Sequence, residues 1–322
     1  MHTYHPRGKP FGESDVIVSA THSVAGFSWT SPCISVYVLH VALKGVWSDP
    51  KPAPVFVRYW RTRSAFTLIE LLVAIAIVMI LLGLSIPAIQ RVRSTLDLVR
   101  CQSNLRQIGA GLLAYHADRQ KYPPGGIEWR PPGNTTKRQL AWSAFLLPYI
   151  EKNDVFARLD LNTPFDSPQN AAGAAAIVPV YLCPASHRVG STIQGRGAID
   201  YGGIFGERIT GPNNPPKGAM IYDQAFRMTD ISDGLSTTLI ISEDNGWVDG
   251  QWINGLNIFD QAYAINQAPP FENDIRSDHQ RGANGLFCDG SVRFLHQSMG
   301  LKPLAAICTR AGKETVDASA FE

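Results

Sequence analysis

Apolar residues are concentrated in one uninterrupted run in the first third of the chain. Residues 71–89 read LLVAIAIVMILLGLSIPAI, 19 positions without a charged side chain. At 1.5 Å per residue, a helix of this length spans about 28 Å, close to the thickness of a bilayer's hydrocarbon core. Val, Ile and Leu occupy every side of such a helix, which argues against a core helix with one polar face. Because no second run of this kind follows, the pattern predicts a single-pass membrane protein with its bulk on the C-terminal side.

The helical pattern continues beyond Pro87, a residue that we expect to bend the helix. The segment 122–125, Tyr-Pro-Pro-Gly, cannot continue a helix and predicts its end near Lys121. A helix from Phe66 to Lys121 would be about 84 Å long, with its first half in the membrane and its second half packed on a soluble domain. The apolar residues that recur along this second half and form one stripe are Val92, Leu96, Val99, Leu105, Ile108, Leu112 and Tyr115.

The rest of the chain predicts short elements separated by turns. Residues 141–150 predict a short buried helix, whereas 178–182 and 237–242 predict strands. The segment 284–295, NGLFCDGSVRFL, predicts a β-hairpin with Asp289-Gly290 as a two-residue turn. Together these patterns predict an α+β fold in which a long N-terminal transmembrane helix packs on an antiparallel β-sheet domain. We place the boundaries at 1–65 for a leader or N-terminal extension, 66–121 for the helix and stem, and 122–322 for the globular domain.

The composition argues against a function in nucleic-acid binding. Lys and Arg total 29 and Asp and Glu total 27, a net charge of only +2. A nucleic-acid-binding domain normally carries a clear basic excess, so we expect no nucleic-acid partner. Basic residues flank the apolar run on both sides, and charge alone therefore leaves its orientation open.

Residues 61–89 resemble the N-terminal processing and methylation signal of type IV pilins and type II secretion pseudopilins. The matching features are a basic stretch, a small residue at Ala65, then Phe66, Glu70 and the long apolar helix. Pilins usually have Gly where Ala65 stands. The resemblance implies cleavage between Ala65 and Phe66 by an aspartic prepilin peptidase, followed by methylation of the Phe66 amine. It also implies that the Glu70 carboxylate pairs with the N-terminal amine of a neighbouring subunit; the alternative is a Glu that only reaches the membrane interface.

The stretch before Phe66 is much longer than prepilin leaders usually are. We interpret residues 1 to about 56 as a gene-start artefact or a disposable leader. No Met occurs between Met1 and Met79, so a start that gives a leader of ordinary length would use a non-Met codon near Val55 or Val57. The apolar run itself could be interpreted as a secretory signal peptide, but it is too long for one and begins too far into the chain.

Four further stretches, 101–126, 142–160, 228–243 and 279–295, resemble the pilin-like family of domain of unknown function 1559. That family is marked by an H-x9-D-G element, which His279, Asp289 and Gly290 match. Two interpretations of these residues exist. They could form a metal or general-base site, or Asp289-Gly290 makes the hairpin turn while His279 bonds a loop back onto it. We favour the structural role, since one His and one Asp without a third ligand or nucleophile do not define a site.

Two other groups of residues carry candidate chemistry. The loop with Glu243, Asp244, Asn245 and Asp249 is a weak calcium candidate, with a solvated turn as the default. Once the leader and Cys33 are removed, Cys101, Cys183, Cys288 and Cys308 remain, and four cysteines permit three pairings. A bridge between Cys101 and Cys183 would tie the stem to the domain. The absence of C-x-x-C argues against a zinc or redox site, and we expect no other cofactor.

These observations predict a membrane-anchored pilin-like or pseudopilin-like structural protein without catalytic activity. It would be a subunit of a type II secretion-like or type IV pilus-like assembly. Its expected partners are the prepilin peptidase/methyltransferase, like subunits through the N-terminal helix, and membrane lipid. We expect a single span in the cytoplasmic membrane, with the globular domain in the periplasm or at the cell surface. The alternative is an anchored module that never polymerises and binds a polysaccharide or protein through loops 123–134 and 243–270.

Overall fold

The structure is a computed structural model that describes residues 66–245, 250–270, 272–314 and 316. The leader hypothesis and the Ala65 side of the cleavage position lie outside these residues.

One long helix dominates the N-terminal part. Helix α1 runs from Leu68 to Arg119 and is continuous across Pro87. It ends at Gln120, which adopts a left-handed conformation, with Pro123 close behind. The predicted end near Lys121 is therefore confirmed to within two residues. The structure gives no measure of the bend expected at Pro87, which stays a prediction.

Only the C-terminal half of α1 packs against the domain. The predicted apolar stripe is therefore confirmed only in its last part, which is buried or partly buried. Val92, Leu96 and Val99 are about half exposed. The fully covered positions of the helix are Cys101, Leu105, Ile108, Gly109, Gly111 and Leu112. Gly109 allows a close approach between helix and sheet, since a Cβ there would lie 2.8 Å from Leu286 Cδ1.

The domain is built on a five-stranded sheet with strand order β7-β5-β6-β8-β9. Three of its four pairings are antiparallel. The exception is edge strand β7, which pairs with β5 in parallel and which the sequence pattern did not predict. The bounds of the five strands are β5 Tyr201–Glu207, β6 Leu239–Glu243, β7 Ile258–Gln261, β8 Gly282–Phe287 and β9 Val292–His296.

Helices cover both faces of this sheet. On one face, Ile240 and Leu286 share a buried cluster with Leu105 and Ile108 of α1. On the other face, alternate strand residues such as Leu239 and Phe287 pack with Leu304 and Ile307 of α5, which spans Leu301–Ile307. Strand alternation explains this division, because neighbouring side chains point to opposite faces.

The remaining elements are short and lie in the connections. The predicted helix at 141–150 is confirmed as α2 followed by a 3₁₀ turn. The predicted strand at 178–182 is wrong. Pro179 removes a backbone donor that a strand ladder would need, and the segment forms a 3₁₀ turn instead. The short elements are β1 Gly126–Ile127, β2 Leu140–Ala141, α2 Trp142–Leu146, the 3₁₀ turn Leu147–Ile150, α3 Asn153–Phe156, α4 Pro168–Ala174, the 3₁₀ turn Pro179–Tyr181, β3 Thr192–Ile193, β4 Arg196–Gly197 and the 3₁₀ turn Met228–Asp230.

The hairpin β8–β9 is confirmed, but its turn differs from the prediction. The backbone N–H of Phe287 donates to Ser291 O at 2.9 Å, and the N–H of Gly290 donates to Phe287 O at 2.9 Å. These bonds enclose a three-residue loop, Cys288-Asp289-Gly290, in place of a two-residue turn. Gly290 adopts φ +85°, the left-handed position that such loops give to glycine. Asp289 Oδ1 accepts from the N–H of Ser291 at 2.8 Å and closes the loop.

Candidate functional site

The N-terminus of α1 is closed by a reciprocal pair of hydrogen bonds. Thr67 is the N-cap residue, and its Oγ1 accepts from the backbone N–H of Glu70 at 3.3 Å. In return, Glu70 Oε2 accepts from the backbone N–H and the hydroxyl of Thr67, each at 2.9 Å. This capping box satisfies backbone donors that a helix start leaves without partners. Thr67 and Glu70 therefore fix where the helix begins, two residues after the predicted cleavage position.

The first half of the helix that follows is exposed and largely apolar. Among the described residues, α1 is the one helix long and apolar enough to cross a membrane, and its most apolar window has no buried residue. Phe66 itself is 77 % exposed. An apolar surface of this extent is stable only in lipid or against other apolar helices.

His279 and Asp289 do not form a common site. His279 precedes β8 and Asp289 follows it, so the six residues of the strand separate them. At about 3.3 Å per residue, the two ends of this strand lie roughly 17 Å apart. The turn role of Asp289 and Gly290 is as predicted, but His279 does not bond a loop back onto that turn. The physical reason is that an extended strand carries the two residues to opposite ends of the hairpin.

His279 instead belongs to a buried polar cluster under α1, which we call the histidine cluster: Cys101, Cys183, Glu243 and His279. His279 Nε2 lies 3.2 Å from Glu243 Oε1 and 3.5 Å from Cys183 Sγ. Glu243 is fully buried, and its carboxylate accepts from the backbone N–H of Asn284 at 2.7 Å and from Asn284 Nδ2 at 2.9 Å. Asn284 in turn accepts a 3.2 Å hydrogen bond from Gln102 of α1. The cluster thus connects the helix to strands β6 and β8.

Cys101 and Cys183 are joined by a disulfide, which adds a covalent connection at the same place. Of the three possible pairings, the structure contains the one that ties the stem to the domain. Cys288 and Cys308 are free and buried. Burial raises the pKa of both thiols above the ordinary value, so they remain protonated.

Of the calcium candidates, Glu243, Asp244 and Asn245 are buried, and Asp249 lies outside the described part of the chain. Glu243 is committed to Asn284 and His279, whereas Asp244 lies beside Arg276 and Asp274. Burial raises the pKa of Asp244 to about 8, so this group is mostly protonated at neutral pH. The side-chain amide of Asn245 is buried without a hydrogen-bond partner among the described residues, and the calcium site stays a prediction.

Two clefts flank the histidine cluster where α1 meets the domain. A cleft of about 390 Å³ is lined by Arg93 and Ser94 of α1 and by His187, Asp278 and His279. A second, of about 620 Å³, is lined by Arg100 and Asn104 of α1 and by Cys183 and Arg188. His279 thus lines one of these clefts and Cys183 lines the other.

Sequence reasoning did not assemble the histidine cluster. The sequence assigns Cys183 to a disulfide, Glu243 to a candidate calcium loop and His279 to a motif, each separately. Their separations along the chain, from 36 to 82 positions between successive members, leave no local signature.

Comparison with known protein families agrees with these features. Residues 60–86 match the prokaryotic N-terminal methylation motif. Together with the long apolar helix and the sheet domain, this match defines a type IV pilin-like or pseudopilin-like protein with a pilin-like α+β fold. The chain belongs to the family described as protein of unknown function (DUF1559), which matches residues 99–269 and 250–302. No curated protein and no solved structure matches the chain.

The match has two direct consequences. The protein is membrane-anchored through α1, and the motif implies processing by a prepilin peptidase and assembly into pilin-like polymers. The family description assigns no specific role to the domain.

Proposed function

We propose that the protein is a structural subunit of a type IV pilus-like or type II secretion-like filament and has no catalytic activity of its own. A single span, α1, anchors it in the cytoplasmic membrane, and its domain lies in the periplasm or at the cell surface. The observation that carries the proposal is the start of α1, where an exposed apolar helix presents a carboxylate with spare hydrogen-bonding capacity.

The capping box uses only one of the two carboxylate oxygens of Glu70. Both bonds from Thr67 end on Oε2, and among the described residues Oε1 has no partner. A carboxylate has about four acceptor positions, so Oε1 is available to a donor from another molecule. Cleavage before Phe66 creates an ammonium group at the same level of a neighbouring helix. Pairing the two charges offsets the cost of placing each of them near lipid.

The helix surface suits lateral packing. Helices associate in lipid through close van der Waals contact, which small residues permit. Gly83 lies in the exposed apolar part of α1, and a Cβ at this position would meet nothing within 4 Å. The surface around Gly83 is therefore open to a neighbouring helix.

The proposal is tested with three variants of the full chain produced in cells that contain a prepilin peptidase. Glu70→Ala removes both the cap and the charge, and Glu70→Gln keeps a capping amide but removes the charge. Thr67→Ala is the matched control, because it removes the cap and keeps the carboxylate. We expect cross-linked oligomers in membranes for the parent and for Thr67→Ala, and at least a tenfold loss for both Glu70 variants.

Mass spectrometry of the mature N-terminus accompanies the cross-linking. A methylated Phe66 in all four proteins shows that processing is intact and that the loss lies in assembly. Oligomers that persist in Glu70→Gln would contradict the proposed charge pairing. Parent protein that is cleaved and methylated yet remains monomeric in the membrane would favour the anchored binding module instead.

A further inference from the structure

We propose that the histidine cluster is a redox-gated zinc site: when the Cys101–Cys183 disulfide is reduced, the two sulfurs, His279 Nε2 and a Glu243 carboxylate oxygen bind one Zn²⁺. The four ligand atoms already lie within 4.8 Å of one another, and all four residues are buried. This inference concerns the domain and does not depend on filament assembly.

The separations within the cluster fit tetrahedral zinc. With Zn–S of about 2.3 Å and Zn–N or Zn–O of about 2.0–2.1 Å, tetrahedral geometry separates S from N or O by about 3.6 Å and N from O by about 3.4 Å. The corresponding distances are 3.5 Å from Cys183 Sγ to His279 Nε2, 3.7 Å from that sulfur to Glu243 Oε1, and 3.2 Å from Nε2 to Oε1. Three edges of the tetrahedron are therefore in place. The remaining change is that the sulfur of Cys101 must part from that of Cys183.

The arrangement favours a metal over a catalytic thiol. In a Cys-His-acid triad, the thiol and the acid contact different nitrogens of the imidazole ring. Here Cys183 Sγ and Glu243 Oε1 both approach Nε2. A proton on Nε2 can be donated to only one of these two atoms at a time. A cation at the centre of the cluster can bind Nε2, the sulfur and the oxygen together. Thiolate and imidazole ligands select zinc over calcium or magnesium.

The surroundings supply the supporting contacts that metal sites need. Asn284 orients the Glu243 carboxylate through two hydrogen bonds, and Gln102 bonds Asn284 in turn. Such outer contacts fix ligand orientation and strengthen metal binding. Cys183 lines one of the two clefts beside α1 and His279 lines the other, so the cluster lies next to the surface that a reductant and the ion would approach.

The chemistry balances with a dithiol as reductant. The dithiol gives two electrons and two protons to the Cys101–Cys183 bond, which breaks into two thiols while the reductant closes its own disulfide. Zn²⁺ then forms bonds to both sulfurs, Nε2 and the carboxylate, and the two thiol protons leave to solvent. The disulfide form and the zinc form exclude each other, because bonded sulfurs at about 2.05 Å cannot both occupy tetrahedral positions.

The experiment uses the full chain in detergent, oxidised or reduced with excess dithiol, then freed of reductant without air and titrated with Zn²⁺ alone. Co²⁺ serves as a spectroscopic substitute that reports tetrahedral thiolate ligation. We expect one tightly bound ion per reduced chain and none per oxidised chain. His279→Gln and Glu243→Gln should each weaken binding more than tenfold while the oxidised proteins keep their near-ultraviolet circular dichroism. The matched control, Cys288→Ala, should bind as the parent does.

Several results would overturn the proposal. A reduced chain that keeps its fold and binds no Zn²⁺ would do so. So would binding that is equal in the oxidised chain, or a Co²⁺ spectrum without thiolate bands. A reduced chain that loses its fold and does not regain it with Zn²⁺ contradicts the proposal as well. If either cluster variant fails to fold, the same titration is carried out on Cys101→Ser, which removes one ligand and the disulfide. A Zn²⁺ affinity equal to that of the reduced parent would then be incompatible with the site.

Discussion

The hydroxyl of Tyr122 donates a 2.6 Å hydrogen bond to the backbone carbonyl of Cys288. Tyr122 is the third residue after α1, and Cys288 opens the loop between β8 and β9. The bond therefore fixes the end of the stem helix to the hairpin turn. Both residues are buried, so water cannot replace the bond if it is removed.

Tyr122→Phe should lower the free energy of unfolding by about 1–3 kcal/mol, because the carbonyl of Cys288 loses its donor while the ring still fills its space. Denaturant unfolding of the purified chain measures this. Tyr149→Phe is a comparable deletion at a surface position, where the hydroxyl bonds the exposed Asp118. Equal losses in the two variants would show that burial of the Cys288 carbonyl is not the cause.

Gly290→Ala should destabilise the protein more than Gly190→Ala. Both glycines have φ close to +82°, the left-handed region that costs other residues about 1–2 kcal/mol. A Cβ at Gly290 would also lie 2.9 Å from Leu113 Cδ1 of α1, whereas one at Gly190 would meet nothing within 4 Å. The difference in unfolding free energy between the two variants therefore isolates the contact between turn and helix. A difference near zero would mean that Leu113 moves aside without cost.

The pH dependence of stability should contain a contribution from Asp274. Burial raises the pKa of this carboxyl to about 6, from an ordinary value of 3.8. Between these values the folded state binds more protons than the unfolded state, so the contribution is complete below about pH 4 and is lost as the pH rises to about 6. The loss is at most roughly 3 kcal/mol.

Asp274→Asn removes this titration and can keep the bonds that Asp274 Oδ2 accepts from the N–H groups of Ala262 and Tyr263. Relative to this variant, the parent should become less stable from pH 4 to pH 6, as measured by urea unfolding at each pH. If the unfolding free energies of the parent and of Asp274→Asn changed with pH in the same way, the pKa of Asp274 would not be raised.

The disulfide should be a major source of stability in the oxidised chain. It connects positions 82 residues apart, and loop-closure entropy predicts a contribution of about 4.5 kcal/mol for a loop of this length. Cys101→Ala/Cys183→Ala should lower the melting temperature accordingly in the presence of a chelator. Dithiol should lower the melting temperature of the parent and leave the double variant unchanged; a shift in both would assign the effect to something other than this bond.

The sequence predicts best what depends on local pattern. The apolar run, the end of α1 before Pro123 and the hairpin around Asp289-Gly290 all follow from periodicity or turn chemistry. The strand predicted at 178–182 is wrong. This segment, Val-Pro-Val-Tyr-Leu, has no alternation of apolar and polar residues, and its proline disfavours a strand, so the local pattern does not determine the structure. The parallel pairing of β7 with β5 also leaves no local trace, since residues 208–257 separate the two strands.

The candidate sites divide along the same line. Phe66 and Glu70 lie four positions apart in the chain, and one turn of helix brings Glu70 to Thr67, so the sequence alone suffices to predict this site. The histidine cluster needs α1, the segment before β3, the end of β6 and the loop before β8 to meet. A motif defined by spacing paired His279 with Asp289, whereas the fold pairs it with Glu243.

The covalent tie between Cys101 and Cys183 has one more consequence, for proteolysis. The exposed loop around Gly133 and Asn134 lies between the two cysteines, where surface proteases cut most easily. A chain cut there remains covalently connected, because the disulfide still joins the domain to helix α1. Release of the domain therefore requires at least two covalent events, a cut and a reduction, and neither is sufficient by itself.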